Sequence, residues 1–309
     1  MALLFKSSYD DSPAWAQYLS EHISDLEVRS WLNVGNPEDI EFALVWKPES
    51  GYLRQYPNLR VIFSLGAGVD HIFADPLLPK GIPIVRIVDD DLAAQLSEYV
   101  IHGVLHFHRR MPYYFSCQSR GEWGDPGRAD TSLATVAVMG IGHVGSDLAR
   151  KLDGLGFNVR GWSRTPKSLD GIECFHGDAE FEPFLRNANF LVCVLPLTRA
   201  TREIVNANTL SKLSEGAYLI NIGRGDQIVD GDLIAALNKG QIAGAMLDVF
   251  RQEPLPSDHA YWTHPRVIIT PHIAGDPNAR TAAKQVAENI LRARRNEPLK
   301  NVVDPIAEY

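Results

Sequence analysis

Residues 136–145 read Val-Ala-Val-Met-Gly-Ile-Gly-His-Val-Gly, and this stretch decides the fold. Its four apolar residues predict a short buried strand, and Gly140 to Gly145 then match the pattern G-x-G-x-x-G at the start of a predicted helix. In this context Gly140 permits a tight turn, Gly142 lets the backbone approach a pyrophosphate, and Gly145 lets the helix pack closely on the strand. A glycine-rich turn without function is the alternative. The stretch therefore predicts a Rossmann-type, dinucleotide-binding domain.

Short apolar runs alternate with helical segments on both sides of this stretch. Strands are predicted at residues 42–46, 59–63, 84–88, 159–162, 190–195, 217–222, 243–247 and 267–270, and helices at 91–114, 144–155, 179–186, 230–238 and 278–294. Such alternation is typical of parallel α/β sheets with right-handed crossovers. We therefore predict an α/β fold with two parallel-sheet domains: a flavodoxin-like domain over residues 1–98, completed by 276–309, and the dinucleotide-binding domain over 99–275.

Composition and charge restrict the classes of function. The 309 residues carry a formal net charge of −8, which argues against a general role in binding nucleic acids. The chain has three cysteines, Cys117, Cys174 and Cys193. Because their number is odd and their spacing is not that of a disulfide framework, we interpret them as reduced thiols. Cys193 lies in a predicted strand, where a small buried core residue is a better interpretation than a nucleophile.

The first residues do not resemble a targeting segment. Met1–Lys6 lacks a basic start, a long apolar stretch and a small-residue cleavage site, and acidic residues follow by Asp10. No apolar run approaches the roughly 18 residues that a membrane helix requires. We therefore expect a cytoplasmic protein with no membrane partner and no bound metal.

The end of the strand at 159–162 indicates which dinucleotide binds. Folds that bind NAD usually place an acidic residue there to accept a hydrogen bond from the ribose 2′-hydroxyl. This chain instead offers Ser163, Arg164, Thr165 and Lys167, and it has no acidic residue between Gly161 and Ser168. Two cations and two hydroxyls suit a 2′-phosphate, whereas a solvated basic loop is the alternative. We expect NADPH to be preferred and NADH to be possible.

Three further residues follow predicted strands. Arg224 follows the strand at 217–222, Glu253 lies in the segment after the strand at 243–247, and His272 follows the strand at 267–270. Each residue type on its own is more often structural or solvated. Ligands bind at the carboxyl ends of parallel strands, and together the three residues, each near such an end, form a recognisable set.

On these residues, the sequence resembles the D-isomer-specific 2-hydroxyacid dehydrogenases, and most closely their glyoxylate/hydroxypyruvate reductase A branch. The resemblance covers nearly the whole chain. It includes Ala43–Trp46, Leu65–Asp70, Trp162–Thr165, Gly244–Phe250 and Glu253–Pro256, together with Arg224 and His272. It implies a homodimeric reductase of small 2-oxo acids, glyoxylate and hydroxypyruvate among them, with the helix at 91–114 as a candidate contact between subunits.

The chemistry of such a reduction explains the three residue types. Hydride is delivered to C2 and a proton to the developing alkoxide, and His272 would supply that proton. Glu253 would orient the imidazole and favour its protonated form. Arg224 would hold the substrate carboxylate with its planar donor fork and polarise the carbonyl for hydride attack.

The resemblance also implies which residues line the remaining site. Substrate contacts would come from Trp46 and from the loop residues Ala67, Gly68 and Val69. Alternatively, Trp46 is a buried core residue, and the glycine-rich loop only forms a tight strand-to-helix turn. Contacts with the dinucleotide, beyond those of residues 163–167, would come from Gly140, Ile141, Gly142, His143, Val144, Leu195, Pro196, Thr201, Ile222, Arg224, Asp248, His272 and Gly275.

One segment departs from the family pattern, and two other functions compete. After His272 the chain reads Ile-Ala-Gly-Asp-Pro, so Gly275 and Asp276 are expected to reshape the mouth of the pocket. The first competing function is a nucleotide-sensing corepressor on the same fold, and the second is oxidation of another small donor such as phosphite or formate. Detectable turnover of 2-oxo acids separates both from a reductase.

Overall fold

The strands form two sheets, and each sheet lies within its own compact unit. The structure is a computed structural model, and it describes residues 2–7 and 12–309. Met1 and Asp10 of the N-terminal segment considered above lie outside the described residues. One unit comprises the chain up to Leu92 together with Asp276–Tyr309, and the other comprises Ala93–Gly275. Across the described ranges, no helix combines the length and the apolar character needed to cross a bilayer.

The first unit contains a five-stranded parallel sheet. Its strands are β1 (Ala2–Lys6), β2 (Glu27–Ser30), β3 (Ile40–Val45), β4 (Val61–Ser64) and β5 (Ile84–Val85), and its helices are α1 (Ser12–Ser20), α2 (Asp70–Phe73) and, from the C-terminal segment, α9 (Ala279–Arg294). The strand order is β2-β1-β3-β4-β5, and every pair is parallel. This is the flavodoxin-like order, so the predicted fold class is confirmed for this unit.

The core of the first unit depends on α9. Side chains of α9, among them Ala283, Val286 and Ile290, are buried in one cluster with Trp15 and Leu19 of α1 and with residues of the central strands. The opposite face of the sheet packs against a second cluster that contains Ile62 and Ile72. The core of this unit therefore needs both α1, near the start of the chain, and α9, near its end.

The second unit contains a seven-stranded parallel sheet. Its strands are β6 (Thr135–Met139), β7 (Asn158–Ser163), β8 (Glu173–His176), β9 (Phe190–Cys193), β10 (Ala217–Asn221), β11 (Ile242–Leu247) and β12 (Val267–Ile269), and its helices are α3 (Asp90–His108, which begins in the first unit), α4 (Met111–Arg120), α5 (His143–Gly154), α6 (Phe181–Leu185), α7 (Ala207–Ser211) and α8 (Asp230–Lys239). The order is β12-β11-β10-β9-β6-β7-β8. Strand order reverses at β6, the switch point where ligands bind in doubly wound sheets, and the glycine-rich turn follows β6.

The helix predicted over residues 91–114 is wrong as a single element. The chain instead forms α3 and α4, separated by Arg109 and by Arg110, whose φ of 55° lies in the left-handed region. Pro112 explains the break, because it lacks an N–H and its ring would clash with the carbonyl of His108 in a continuous helix. At the first turn of α4 the same residue is well tolerated.

Three strands are absent from the sequence-based prediction. β1 is an apolar run that is buried along its whole length, and no turn residues precede it to mark where a strand begins. β2 and β8 are edge strands that carry polar residues such as Glu27 and Glu173, so neither shows the continuous apolar run of a central parallel strand.

Candidate active site

The glycine-rich turn joins β6 to α5. Gly140 has a φ of 105°, and its N–H donates to the carbonyl of Trp162 at 2.8 Å. A Cβ at Gly145 would lie 1.9 Å from the carbonyl oxygen of Gly140, so a side chain there is excluded. A Cβ at Gly142 would meet no atom within 4 Å, and Gly142 and His143 are exposed. This open space at the start of a twelve-residue helix fits a pyrophosphate.

The loop after β7 carries exposed cations. Arg164, Thr165 and Lys167 are exposed, whereas Ser163 is buried. The Ser163 hydroxyl donates to the carbonyl oxygen of Thr165 at 2.7 Å, so its hydrogen shapes the loop. Arg164 and Lys167 are therefore the better candidates for contacts with a phosphate, and a dinucleotide with a 2′-phosphate fits this loop because the residues between Gly161 and Ser168 include no carboxylate.

The segment after β9 is held by two side chains. The Thr201 hydroxyl donates to the carbonyl of Pro196 at 2.6 Å. The amide nitrogen of Gln227 donates to the carbonyls of Leu195 at 2.9 Å and Pro196 at 3.2 Å. Leu195, Pro196 and Thr201, all predicted to contact the dinucleotide, thus belong to one ordered turn at the carboxyl edge of the sheet.

Arg224 follows β10 in a turn whose backbone is held by two hydrogen bonds and by close packing at Gly225. Its N–H donates to the side-chain oxygen of Gln227 at 2.8 Å, and its carbonyl accepts from the Asn221 amide at 3.0 Å. Its guanidinium donates to the carbonyl of Gly223 at 2.7 Å. The Gly225 backbone packs so tightly that a Cβ there would lie 1.9 Å from the carbonyl carbon of Phe250. Ile222, also predicted to contact the dinucleotide, lies buried in this turn.

Gln227 is a residue that the sequence prediction missed. Its side chain is fully buried, and its two amide ends join the turn that carries Arg224 to the turn that carries Leu195 and Pro196. The thiol of Cys193 also lies 3.2 Å from its oxygen. The available signal was only half of a capping box: a glutamine three residues after Arg224, whose side-chain oxygen accepts the Arg224 N–H.

His272 and Glu253 form a direct pair. Nδ1 of His272 lies 3.0 Å from a carboxylate oxygen of Glu253, and the other carboxylate oxygen accepts the backbone N–H of Phe250 at 3.2 Å. An ionised carboxylate only accepts hydrogen bonds, so Nδ1 carries the hydrogen toward Glu253. Nε2 is then the nitrogen available for proton exchange with a ligand.

Asp248 holds the loop that carries His272. Its buried carboxylate accepts from the Thr270 hydroxyl at 2.6 Å and from the backbone N–H groups of Ile273 and Ala274, each at 2.9 Å. Its carbonyl accepts the His272 N–H at 2.8 Å. His272 itself has a φ of 57°, a strained conformation that persists only where the surroundings impose it. The predicted contact of Asp248 with the nicotinamide carboxamide remains a prediction beside this observed role.

The predicted substrate contacts of the first unit lie at the ends of β3 and β4. The indole of Trp46 is half-buried and packs on the ring of His71, with centroids 4.5 Å apart. Ala67 and Gly68 are half-buried, whereas the Val69 side chain is buried in the core, so only the Val69 backbone can reach a ligand.

The second unit thus collects the predicted residues at one edge of one sheet. The glycine-rich turn, Arg224, Glu253 and His272 all follow its strands, and half-buried Gly275 ends the unit. Within the described chain, no group of three or more His, Cys, Asp or Glu side chains could hold a metal ion. Burial raises the pKa of the Cys193 thiol to about 12, which makes it a core residue with little thiolate character.

Comparison with known families and proteins agrees with this geometry. Residues 101–274 match the model of the NAD-binding domain of the D-isomer-specific 2-hydroxyacid dehydrogenases. A relative from Serratia proteamaculans, named glyoxylate/hydroxypyruvate reductase A, is 39% identical over 100% of both chains.

Solved structures give the same result. A D-isomer-specific 2-hydroxyacid dehydrogenase from Xanthobacter autotrophicus Py2, in complex with NADPH and MES, has a TM-score of 0.96 and 40% identity over 100% of this chain and 99% of that one. An NADPH-dependent glyoxylate/hydroxypyruvate reductase from Sinorhizobium meliloti, in complex with NADP and sulfate, has a TM-score of 0.93 and 35% identity over the same shares.

Proposed function

This chain belongs to the family of D-isomer-specific 2-hydroxyacid dehydrogenases, and we propose that within it the protein is an NADPH-preferring reductase of glyoxylate and hydroxypyruvate. The products would be glycolate and D-glycerate. The observation that carries the proposal is the His272–Glu253 pair at 3.0 Å, on a loop that Asp248 holds at the carboxyl edge of the dinucleotide-binding sheet. The names of the Serratia and Sinorhizobium relatives support the substrates.

The three side chains divide the work of the reduction. When bound, the dinucleotide supplies the hydride that reduces C2. His272 donates the proton from Nε2 to the oxygen of C2, while Glu253 holds Nδ1 and stabilises the imidazolium before transfer. Arg224 binds the carboxylate and polarises the carbonyl, and its guanidinium is oriented by the contact with the Gly223 carbonyl.

Residues of the first unit would complete the recognition of the substrate. The backbone N–H groups of Ala67, Gly68 and Val69 would bind the carboxylate, and Trp46 would limit the size of the group attached to C2. Both roles follow from the family resemblance. The half-buried indole and the half-buried loop are the supporting observations.

NADPH preference rests on the loop after β7. Arg164 would stack on the adenine and donate to the 2′-phosphate, Lys167 would add a point charge, and Thr165 would add a hydroxyl. Both of the solved structures described above contain NADPH or NADP.

We also propose a homodimer in the cytoplasm. In α4 and just after it, Tyr113, Phe115 and Trp123 expose 41%, 54% and 103% of their surfaces in the single chain, an unusual concentration of exposed aromatic residues. All three cysteines are free, as suits a reducing compartment. A monomer by light scattering at micromolar concentration would contradict the dimer.

A substrate panel tests the proposed function. Purified protein is assayed with glyoxylate, hydroxypyruvate, pyruvate and phenylpyruvate, each with NADPH and with NADH, and in the oxidative direction with phosphite and formate. We expect the highest kcat/KM for glyoxylate or hydroxypyruvate with NADPH. A higher kcat/KM for phenylpyruvate would reject the small-substrate assignment. Turnover of phosphite or formate alone, or nucleotide binding without any turnover, would favour the competing functions.

A further inference from the structure

The glycine-rich loop of the first unit has an internal anchor. It follows β4 and leads into α2, which has only four residues and so provides little helix dipole for an anion. The hydroxyl of Ser64, buried at the end of β4, donates to the carbonyl of Gly68 at 2.8 Å and accepts the backbone N–H of Gly66 at 3.2 Å. One hydroxyl therefore sets the curvature of the loop.

His71 connects this anchor to the end of β3. Its Nε2 lies 3.2 Å from the Ser64 hydroxyl oxygen, and its Nδ1 accepts the backbone N–H of Lys47 at 3.2 Å. A backbone N–H can only donate, so Nδ1 carries no hydrogen. Because the Ser64 hydrogen already goes to Gly68, Nε2 must donate to Ser64. The contacts thus select the neutral tautomer with hydrogen on Nε2.

The same ring supports the wall formed by Trp46. The indole packs on the His71 ring at 4.5 Å with the planes tilted by 58°, and a Cβ at Gly66 would come within 2.9 Å of the indole. Lys47, which follows Trp46, has a φ of 45° in the left-handed region. A side chain in that conformation is strained, and the hydrogen bond to His71 helps to impose it.

We propose that His71 is a positioning residue for substrate binding. It ties the loop Gly66–Val69 to the turn that carries Trp46, and it thereby sets both the carboxylate-binding backbone and the wall beside C2. Imidazole suits this task because it offers an acceptor and a donor on opposite sides of a rigid ring that also stacks on indole. The inference rests on the proposed function, since it assumes that this loop and Trp46 bind the 2-oxo acid.

Single substitutions at the junction test the proposal. His71→Ala removes both tethers, His71→Asn keeps an acceptor for the Lys47 N–H, and Ser64→Ala removes the hydroxyl. His22→Ala, at an exposed histidine of the same unit, is the matched control. Each variant is characterised by kcat, by KM for glyoxylate, by the Kd for NADPH from nicotinamide fluorescence, and by Tm.

We expect His71→Ala to raise the glyoxylate KM by about tenfold, the combined effect of two lost hydrogen bonds, with a smaller change in kcat. The Kd for NADPH should stay within about twofold of wild type, since the dinucleotide contacts are proposed for the other unit. His71→Asn should have a glyoxylate KM between that of His71→Ala and that of the wild type, because it keeps an acceptor for the Lys47 N–H. Ser64→Ala should raise the glyoxylate KM less in the His71→Ala background than in the wild type. The reason is that the two side chains act through the same junction.

Different outcomes reject different statements. A wild-type glyoxylate KM in His71→Ala overturns the positioning role while the proposed function stands. A fall in kcat, NADPH affinity and Tm that accompanies the rise in KM, with no recovery in His71→Asn, would show that His71 is merely structural and would overturn the positioning role. If His71→Ala does not fold, an unchanged KM in both His71→Asn and Ser64→Ala overturns the role. Wild-type protein that reduces no 2-oxo acid overturns the proposed function, and the role of His71 with it.

Discussion

The two sheets carry glycine-rich turns of the same local form, yet the turns are held by different means. After β6, Gly140 and Gly145 let the backbone pack directly on itself, and the turn opens a helix of twelve residues. After β4, the turn opens a helix of four residues, and two side chains, Ser64 and His71, hold it. A helix N-terminus can stabilise an anion in the first case, whereas an anion at the second turn would have only the backbone amides that side chains hold in place.

The turns that flank the two glycine-rich turns differ as well. In the dinucleotide-binding unit, buried Gln227 joins the turn that carries Arg224 to the turn after β9, and buried Asp248 holds the loop that carries His272. In the other unit, the half-buried ring of His71 makes the corresponding link. We therefore expect the largest effects of substitution in the dinucleotide-binding unit and graded effects on substrate affinity in the other.

The largest expected effect is at His272. His272→Ala or His272→Gln should lower kcat for glyoxylate reduction by about a hundredfold or more, the usual scale of general acid catalysis. The NADPH Kd should change little, and His264→Ala, at a histidine outside the proposed site, should retain activity. A wild-type kcat in His272→Ala would show that the chemistry does not reside at this sheet edge.

The next effect concerns the choice of dinucleotide. The double variant Arg164→Ala, Lys167→Ala should lose most of a preference for NADPH over NADH that we expect to be roughly tenfold to a thousandfold. The loss should fall on KM for NADPH, and added salt should weaken NADPH binding more than NADH binding in the wild type. Equal kcat/KM with NADH in the unmodified protein would mean that the loop is only a solvated surface.

A pair of alanine substitutions separates folding from binding in the turn after β6. Gly145→Ala forces a Cβ against the Gly140 carbonyl and should lower the free energy of unfolding by about 3 kcal/mol. Gly142→Ala meets open space, so Tm should be kept while the NADPH Kd rises by about tenfold. Denaturant unfolding and fluorescence titration measure the two effects. Unchanged NADPH affinity in Gly142→Ala would place the pyrophosphate elsewhere.

The smallest expected effect belongs to the turn after β4. Gly66→Ala directs its Cβ toward the indole of Trp46, a side chain that can shift, so we expect the glyoxylate KM to rise by about threefold to tenfold. The NADPH Kd should not change. An altered NADPH Kd with an unaltered glyoxylate KM would reverse the roles that we assign to the two turns.

The fold class and most of the central strands were predictable from local pattern. The run from Val136 to Gly145 contains its own strand, turn and helix signals, and the structure places β6 and α5 there. Pro112 also indicates a break in the helix, because a proline ring clashes with the carbonyl four residues before it. The helical spacing of the apolar residues in the same stretch, however, favours one continuous helix. Edge strands such as β2 were not predictable, because they lack the apolar run of a central strand.

The supports of the candidate site were less predictable than its reactive groups. His272 and Glu253 were identified by residue type after a strand, and the structure pairs them across 19 positions of sequence. The supporting hydrogen bonds depend on partners that only the tertiary fold brings near. They are made by the Asp248 carboxylate with Ala274, by the Gln227 amide with Leu195, and by the His71 ring with Lys47. Local pattern carries no information about such partners.

The return of α9 to the first unit has a consequence for synthesis of the chain. The unit that contains β1 buries Ala283, Val286 and Ile290 of α9 in its core, whereas Ala93–Gly275 forms the other unit from one continuous stretch. On the ribosome, domains generally fold as units once their residues have emerged. All residues of the dinucleotide-binding unit therefore leave the ribosome before the other unit is whole, and the unit that begins to be translated first is completed last, after Asp276–Tyr309 has left the exit tunnel.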